Sequence, residues 1–445
     1  MTGRRFHAAP VTPARAFMIS LPAMERPGRA ALLLAAALLL RPAAAPAQPL
    51  LPPAAPSTTD GGRVDRFLKG AARVLTHMDG PVGWVFLPAV SANPNSGVTY
   101  GVLPVAILTN PSHEVDHIIA PMLTYNELFG PAVMGTYYWY PSADAGFRAV
   151  LQKAQKVNGR VALRYEDRAF LDDRFLIRVD TNLEEDGTPR FFGVGPASPK
   201  NHESSYRLKE GLAQADFGVK FRRGLEVSAG WRFRRTETLP GTVAAPMPFD
   251  ARMISASGYS MPRLTFSRDT RDLGSTPSRG SFAELFTEFS QPALGSDSSF
   301  QRYGGQWRLY LPHAAGRGTG FHLQGEYSDG PALPFTALVS LGGPRSLRGF
   351  PEGRFQDRGA FFANVEERFT MHKLSVVNAV TEFQVAPFVD VGTVFPSPDR
   401  LQARRLEPVL GAALRAVVKP TVVGRVETGV SREGPAVYMG IDYPF

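Results

Sequence analysis

Along most of this chain runs a period-two alternation whose second face is charged rather than merely polar. Leu225, Val227, Ala229, Trp231 and Phe233 alternate with Glu226, Ser228, Gly230, Arg232 and Arg234. Ala215, Phe217, Val219 and Phe221 alternate with Asp216, Gly218, Lys220 and Arg222. Leu410, Ala412, Leu414 and Ala416 alternate with Gly411, Ala413 and Arg415. Successive side chains of a strand point to opposite faces, so each run is a strand with one apolar and one polar face. The runs are about 9–13 residues long, which suits a tilted membrane strand and exceeds the usual 5–6 of a soluble one.

A soluble sandwich would show bulk water a face of Thr, Lys and Ser. Here the second face combines arginine and carboxylate: Arg160, Arg164, Glu166, Arg178, Asp180, Arg232, Arg308, Arg425 and Glu427. Tyr100, Tyr137, Tyr138, Trp139, Trp307 and Tyr310 read as aromatics of the apolar face near strand ends. Apolar-out and charged-in with interfacial aromatics is the pattern of an outer-membrane barrel. Beyond the leader no stretch approaches 18 apolar residues, so a closed barrel is the remaining way to satisfy every backbone group in lipid. The expected fold is all-β: a transmembrane antiparallel β-barrel over residues 83–445. Such segments number 16 to 18 between residues 84 and 445, and sixteen strands are expected because bacterial barrels are even-numbered.

The first residues have a different logic. After Met24 come Glu25, Arg26 and Arg29, then eleven apolar residues from Ala30 to Leu40, then Ala45-Pro46-Ala47. This reads as a secretory signal peptide over residues 1–47, with Gln48 expected as the first mature residue and with Met24 or Met18 as alternative starts. Residues 48–82 read as a Pro-rich linker and an amphipathic helix. Val64, Phe67, Leu68, Ala71, Val74, Leu75 and Met78 share one helical face over 63–79, able to cap or plug something. The net charge of +9 does not indicate nucleic acid: residues 1–48 hold six Arg and one Glu, leaving +4 for the other 397 residues. The absence of Cys excludes disulfides, thiolate zinc sites and cysteine nucleophiles.

Two motifs interrupt the alternation in the second half. Leu341-Gly-Gly-Pro-Arg-Ser-Leu347-Arg348-Gly349-Phe350 lies between strand patterns. Downstream, Asn364, Glu366 and Arg368 share one strand face, and Phe388, Asp390 and Gly392 share another. The Leu-Arg-Gly-Phe tetrad in a Gly-rich loop and the Phe-x-Asp-x-Gly strand resemble the two signatures of the BamA/TamA-like surface-antigen superfamily, which includes two-partner secretion transporters. Asp269-Thr-Arg-Asp-Leu-Gly-Ser-Thr-Pro277-Ser-Arg-Gly280 is similar to a strand–turn of the same family, and five strand patterns follow the tetrad, as in its sixteen-stranded barrel.

The resemblance implies a loop folded into the lumen, with Gly342, Gly343 and Gly349 supplying left-handed or closely approaching backbone. It implies a latch of Arg348, Gly349 and Phe350 with Glu366, Asp390 and Gly392, because a guanidinium fork matches carboxylates on neighbouring strands. Met439, Ile441, Tyr443 and Phe445 alternate to a terminal aromatic, similar to the signal by which barrels are recognised by the assembly machinery that inserts them. About 35 residues between Gln48 and the first strand are too few for a POTRA domain, so a POTRA-less member is expected.

The expected role is translocation or insertion of protein or lipid at the bacterial outer membrane. The expected partners are membrane lipid and an unidentified client or periplasmic protein. Enzymatic activity and cofactors are not expected. One alternative is a passive solute-selective pore. Another is a barrel-embedded metallohydrolase, because His113-Glu114-Val115-Asp116-His117 matches H-E-x-x-H. That pattern needs a helix, whereas Asn110-Pro111 precedes it and a strand pattern from Ile118 follows.

Overall fold

A computed structural model describes residues 76–441, apart from 80–81, 111–114, 143, 222–223, 274–275, 377–378 and 419–421. The strands are β1 (Thr76–Asp79), β2 (Val82–Asn93), β3 (Gly97–Thr109), β4 (Val115–Asn126), β5 (Gly130–Trp139), β6 (Ala145–Ala154), β7 (Gly159–Ala169), β8 (Phe175–Asp186) and β9 (Arg190–Phe191). There follow β10 (Ser204–Lys220), β11 (Leu225–Pro240), β12 (Ala256–Asp269), β13 (Gly280–Ser290), β14 (Phe300–Ala314), β15 (Arg317–Asp329), β16 (Val339–Leu341) and β17 (Phe355–Asp357). The last five are β18 (Gly359–Val376), β19 (Ala379–Phe395), β20 (Glu407–Val418), β21 (Val422–Ser431) and β22 (Gly434–Ile441).

Each long strand pairs antiparallel with the next, β8 passing to β10 and β15 to β18 over the short strands of the intervening loops. Among the described residues eighteen long strands make the wall, two more than the sixteen expected. Eighteen is also even, and two-residue connections such as Ala314 to Arg317 leave little turn signal to count by. The ring is nearly closed: β22 lies beside β2, and no ladder joins them among the described residues. A second correction falls on the helical reading of 63–79. Thr76–Asp79 is a strand, with Thr76 opposite Val85 and Asp79 opposite Val82. The unpaired edge of β2 offers backbone partners that override the local helical period. Residues 63–75 lie outside the described residues.

The alternation sets which side faces out. Val365, Val389, Leu410, Leu414 and Val426 are exposed, while Glu366, Asp390, Arg415 and Glu427, on the alternate positions, are buried. Two expected outer aromatics depart from this. Tyr310 is buried and shares the inner face with Arg308, and Tyr138 packs with the inner residue Ile118. Their period-two neighbours place them inward, whatever the general preference of aromatics for the interface.

The inner surface is uneven. From β18 to β21 it is ionic, carrying Glu366, Asp390, Arg415 and Glu427. From β2 to β5 it is apolar, with Ala89, Leu103, Val105, Ile118 and Ala120 as a buried cluster. A third cluster, joining Leu341, Leu347, Phe350 and Phe355 to Phe362, Phe388 and Val409, connects the 330–358 loop to β18–β20.

Candidate functional site

The site is built on four adjacent strands. Glu366 comes from β18, Asp390 from β19, Arg415 from β20 and Glu427 from β21, all at positions whose neighbours face outward. Ladder register brings them together, since Asn364 lies opposite Asp390 and Ala413 opposite Glu427. The fifth member arrives from the loop. Arg348 reaches Asp390 through three donors: its backbone N at 3.0 Å, Nε at 3.0 Å and Nη2 at 2.7 Å. Its Nη1 donates to Glu366 at 3.3 Å and to Glu427 at 3.4 Å. The guanidinium also stacks on the Phe388 ring, 3.4 Å from its centroid. The two parallel contacts to Asp390 are the fork geometry that lysine cannot supply.

Further cations complete the charge balance. Arg415 donates to both oxygens of Glu366 at 2.7 and 2.8 Å and to Glu427 at 3.0 Å. Arg368 donates to Glu366 at 2.7 Å and to the Pro277 carbonyl at 3.1 Å, tying in the turn after β12. Arg425 pairs with Glu427. Each of the three carboxylates is held by at least one guanidinium, and Arg348, Glu366, Asp390 and Glu427 are no more than 1% exposed. Such a cluster fixes the position of the loop against the wall. Buried charges are tolerated only when paired and hydrogen-bonded, so the loop and the wall specify each other.

The backbone of the loop is shaped to reach the wall. Gly342 and Gly343 have φ of 116° and 96°, a region that favours glycine. At Gly349 a Cβ would lie 2.8 Å from Val409, and at Gly429 of β21 one would lie 2.5 Å from the Arg348 carbonyl oxygen. Ser431 Oγ donates to the Gly349 carbonyl at 2.7 Å, and Asn364 Nδ2 donates to that of Ser346 at 2.7 Å. The same loop holds both ends of the sheet. Asn95, in the β2–β3 turn, exchanges hydrogen bonds with the Glu352 backbone at 2.9 and 3.0 Å. Arg354 pairs with Glu433, in the β21–β22 turn, at 2.7 Å.

Arg348, Gly349, Phe350, Glu366 and Asp390 therefore converge, and Gly392 packs beside them, where a Cβ would lie 2.8 Å from Phe362 Cβ. Glu427 and Arg425 read as inner-face residues from the sequence but not as members of this cluster. Arg415, alone on an otherwise small-residue strand face, is the available signal for the fourth strand. Of the C-terminal positions, Val437 and Met439 alternate with the buried Ala436 and Tyr438. Ile441 ends β22, and Tyr443 and Phe445 lie outside the described residues. His113 and Glu114 also lie outside them. His117 stands in strand β4, its ring nitrogen 2.9 Å from Tyr137 Oη, so the helix that H-E-x-x-H requires is not formed there.

Together these features describe a nearly closed antiparallel barrel, with eighteen long strands among the described residues, whose buried carboxylates pair with Arg348 of a Gly-rich loop. A family model described as the Omp85 superfamily domain matches residues 146–410, and the chain belongs to that superfamily. Among solved structures it is similar to BamA from Haemophilus ducreyi lacking POTRA domains 1–3. The identity is 13% over 85% of this chain and 78% of that one, with a TM-score of 0.52, which shows a shared fold. CdiB from Acinetobacter baumannii matches at 12% identity over 85% of this chain and 67% of that one, with a TM-score of 0.43. No curated protein matches the sequence.

Proposed function

We propose that this protein resides in the outer membrane and there inserts or translocates a client protein or lipid, with the Arg348 loop latched inside the barrel as part of the working device. The observation that carries this reading is the burial of Arg348 among carboxylates of β18, β19 and β21. A channel for passive solutes has no need to place a fully buried guanidinium on a loop, at the desolvation cost this entails. The loop also touches both sides of the β2/β22 seam through Asn95 and Glu433, which makes it a control point for any opening of the wall. Insertion of the chain itself would depend on barrel-assembly machinery reading the alternating β22 and the terminal Phe445.

Planar-bilayer recordings of the purified mature chain separate this reading from a passive pore. A latched transporter conducts little at rest, and Arg348→Ala, which unlatches the loop, raises the conductance. A steady conductance that is the same in the parent and in Arg348→Ala would identify a passive pore instead.

A further inference from the structure

Cations on the outer face of this barrel are unevenly placed. The long loops follow β8, β11 and β15, all at one end of the sheet, while short turns such as Ala314 to Arg317 close the other. In outer-membrane barrels the longer loops are extracellular. Among the described long strands, the outward-facing lysines and arginines at the long-loop end are Lys153 of β6, Arg207 and Lys209 of β10, and Arg235 of β11. Each continues an outward row of the membrane wall: Leu151 precedes Lys153 and Phe233 precedes Arg235, all four exposed. Register sets them side by side. Lys209 lies opposite both Glu185 of β8 and Glu237 of β11. Glu185 lies opposite Gly159, which in turn lies opposite Lys153.

The row is not neutral. Arg207 Nη1 is 3.3 Å from Glu185, and Lys209 Nζ is 3.5 Å from Glu237. Both pairs are partly exposed, so each contributes little and yields to a stronger anion. Among the described residues Lys153 and Arg235 have no carboxylate partner. Below these cations the outer face is apolar and low. Gly211, Ala213 and Ala215 run along β10 between Phe233 and Trp231 of β11 on one side and Leu183 and Val179 of β8 on the other. The trough ends in an open depression of about 470 Å³ lined by Ile177, Val179, Ala215, Phe217, Ala229 and Trp231. From Lys209 to Ala215 is about 20 Å along the strand, the reach of a fatty acyl chain. Surplus positive charge directly above a lipid-facing apolar trough complements an anionic amphiphile.

We propose that the outer face of β6–β11 is a binding site for a phosphorylated, multiply acylated lipid of the loop-side leaflet. Its phosphates rest on Arg207, Lys209, Arg235 and Lys153, and one acyl chain lies in the β10 trough. The site rests on the outer-membrane residence proposed above. The purified full mature chain, stripped of lipid in detergent, is titrated with diphosphoryl lipid A, and bound lipid is read by native mass spectrometry. Lys209→Gln combined with Arg235→Gln should weaken binding about tenfold, the worth of one hydrogen bond to a charged group. Ala215→Leu combined with Ala229→Leu fills the trough and should also weaken it. Arg268→Gln removes an outward cation at the short-turn end, opposite Leu225, and should leave binding unchanged. Every variant is first shown to keep the unheated gel mobility of the parent. Parent-like binding by either double variant would overturn the proposal. Displacement of bound lipid A by excess inorganic phosphate would assign the cations to a soluble anion and overturn it as well. Cell fractionation of the parent tests outer-membrane residence separately, and none of these substitutions touches the Arg348 loop.

Discussion

The inner wall of β18–β21 and the inner wall of β2–β5 share one sheet and an apolar outer face, and they differ in what they bury. The first buries Glu366, Asp390, Arg415 and Glu427 around a guanidinium from the loop. The second buries Leu103, Val105 and Ile118 with no ion pair among them. Lipid constrains only the outward residues of a barrel strand, so the inward ones are free to match whatever rests on them. An ionic wall selects one partner in one pose, because each fork needs its acceptor at a set distance and angle. An apolar wall accepts any surface of suitable shape and holds it with less directional force. Buried ion pairs add little net stability over well-packed apolar residues, but removing one partner is expensive. The two walls should therefore respond differently to substitution.

The largest effect is expected on the ionic wall. Arg348→Ala leaves Asp390, Glu366 and Glu427 without their loop cation, and should cost about 3–5 kcal/mol in urea unfolding followed in lipid or detergent. Arg348→Lys should recover only part of this, since an ammonium cannot fork to both oxygens of Asp390. On the apolar wall Leu103→Ala should cost about 2 kcal/mol, the low end for a buried leucine, because the wall borders the channel. Val102→Ala, its outward neighbour, should cost less in the same assay, as lipid fills the gap. Equal losses at Leu103 and Val102 would show that the inner wall is not packed against anything.

Gly429→Ala probes the ionic wall without touching a charge. A Cβ there would stand 2.5 Å from the Arg348 carbonyl oxygen, and the resulting displacement should cost about 1–3 kcal/mol. The smallest effect belongs to a pair outside both walls. Arg432 and Glu407 lie 2.7 Å apart with the arginine exposed, and Arg432→Ala should change stability by about 0–1 kcal/mol. A loss at Arg432 as large as that at Arg348 would mean that burial does not set the scale.

The two walls also differ in how legible they are in the sequence. Alternation points to a membrane barrel because the lipid-facing half of every strand must be apolar, and it places Glu366, Asp390, Arg415 and Glu427 inward. It does not say which inward residues meet, since that depends on register and on a loop that reaches the wall from outside the strand pattern. The tetrad at Leu347–Phe350 supplies that link for Arg348, Glu366 and Asp390. Arg415 and Glu427 belong to no motif, and only the strand pairing joins them to the cluster. Strand count is less legible, because tight turns such as Ala314–Arg317 differ little in composition from their strands. Thr76–Asp79 departs from its sequence pattern for a related reason: a helical period yields to a barrel edge that needs pairing.

At the centre of all this, the loop and the ionic wall act as one unit through Arg348 and Asp390. A double-mutant cycle tests that unity directly, with Arg348→Ala, Asp390→Ala and the double variant unfolded in urea under identical lipid conditions. Arg345→Ala, from the same loop but outside the Asp390 contacts, serves as the control and should show no such coupling to Asp390. The double variant should cost much less than the sum of the single ones, with a coupling of about 0.5–3 kcal/mol. Strict additivity of Arg348→Ala and Asp390→Ala would contradict the latch.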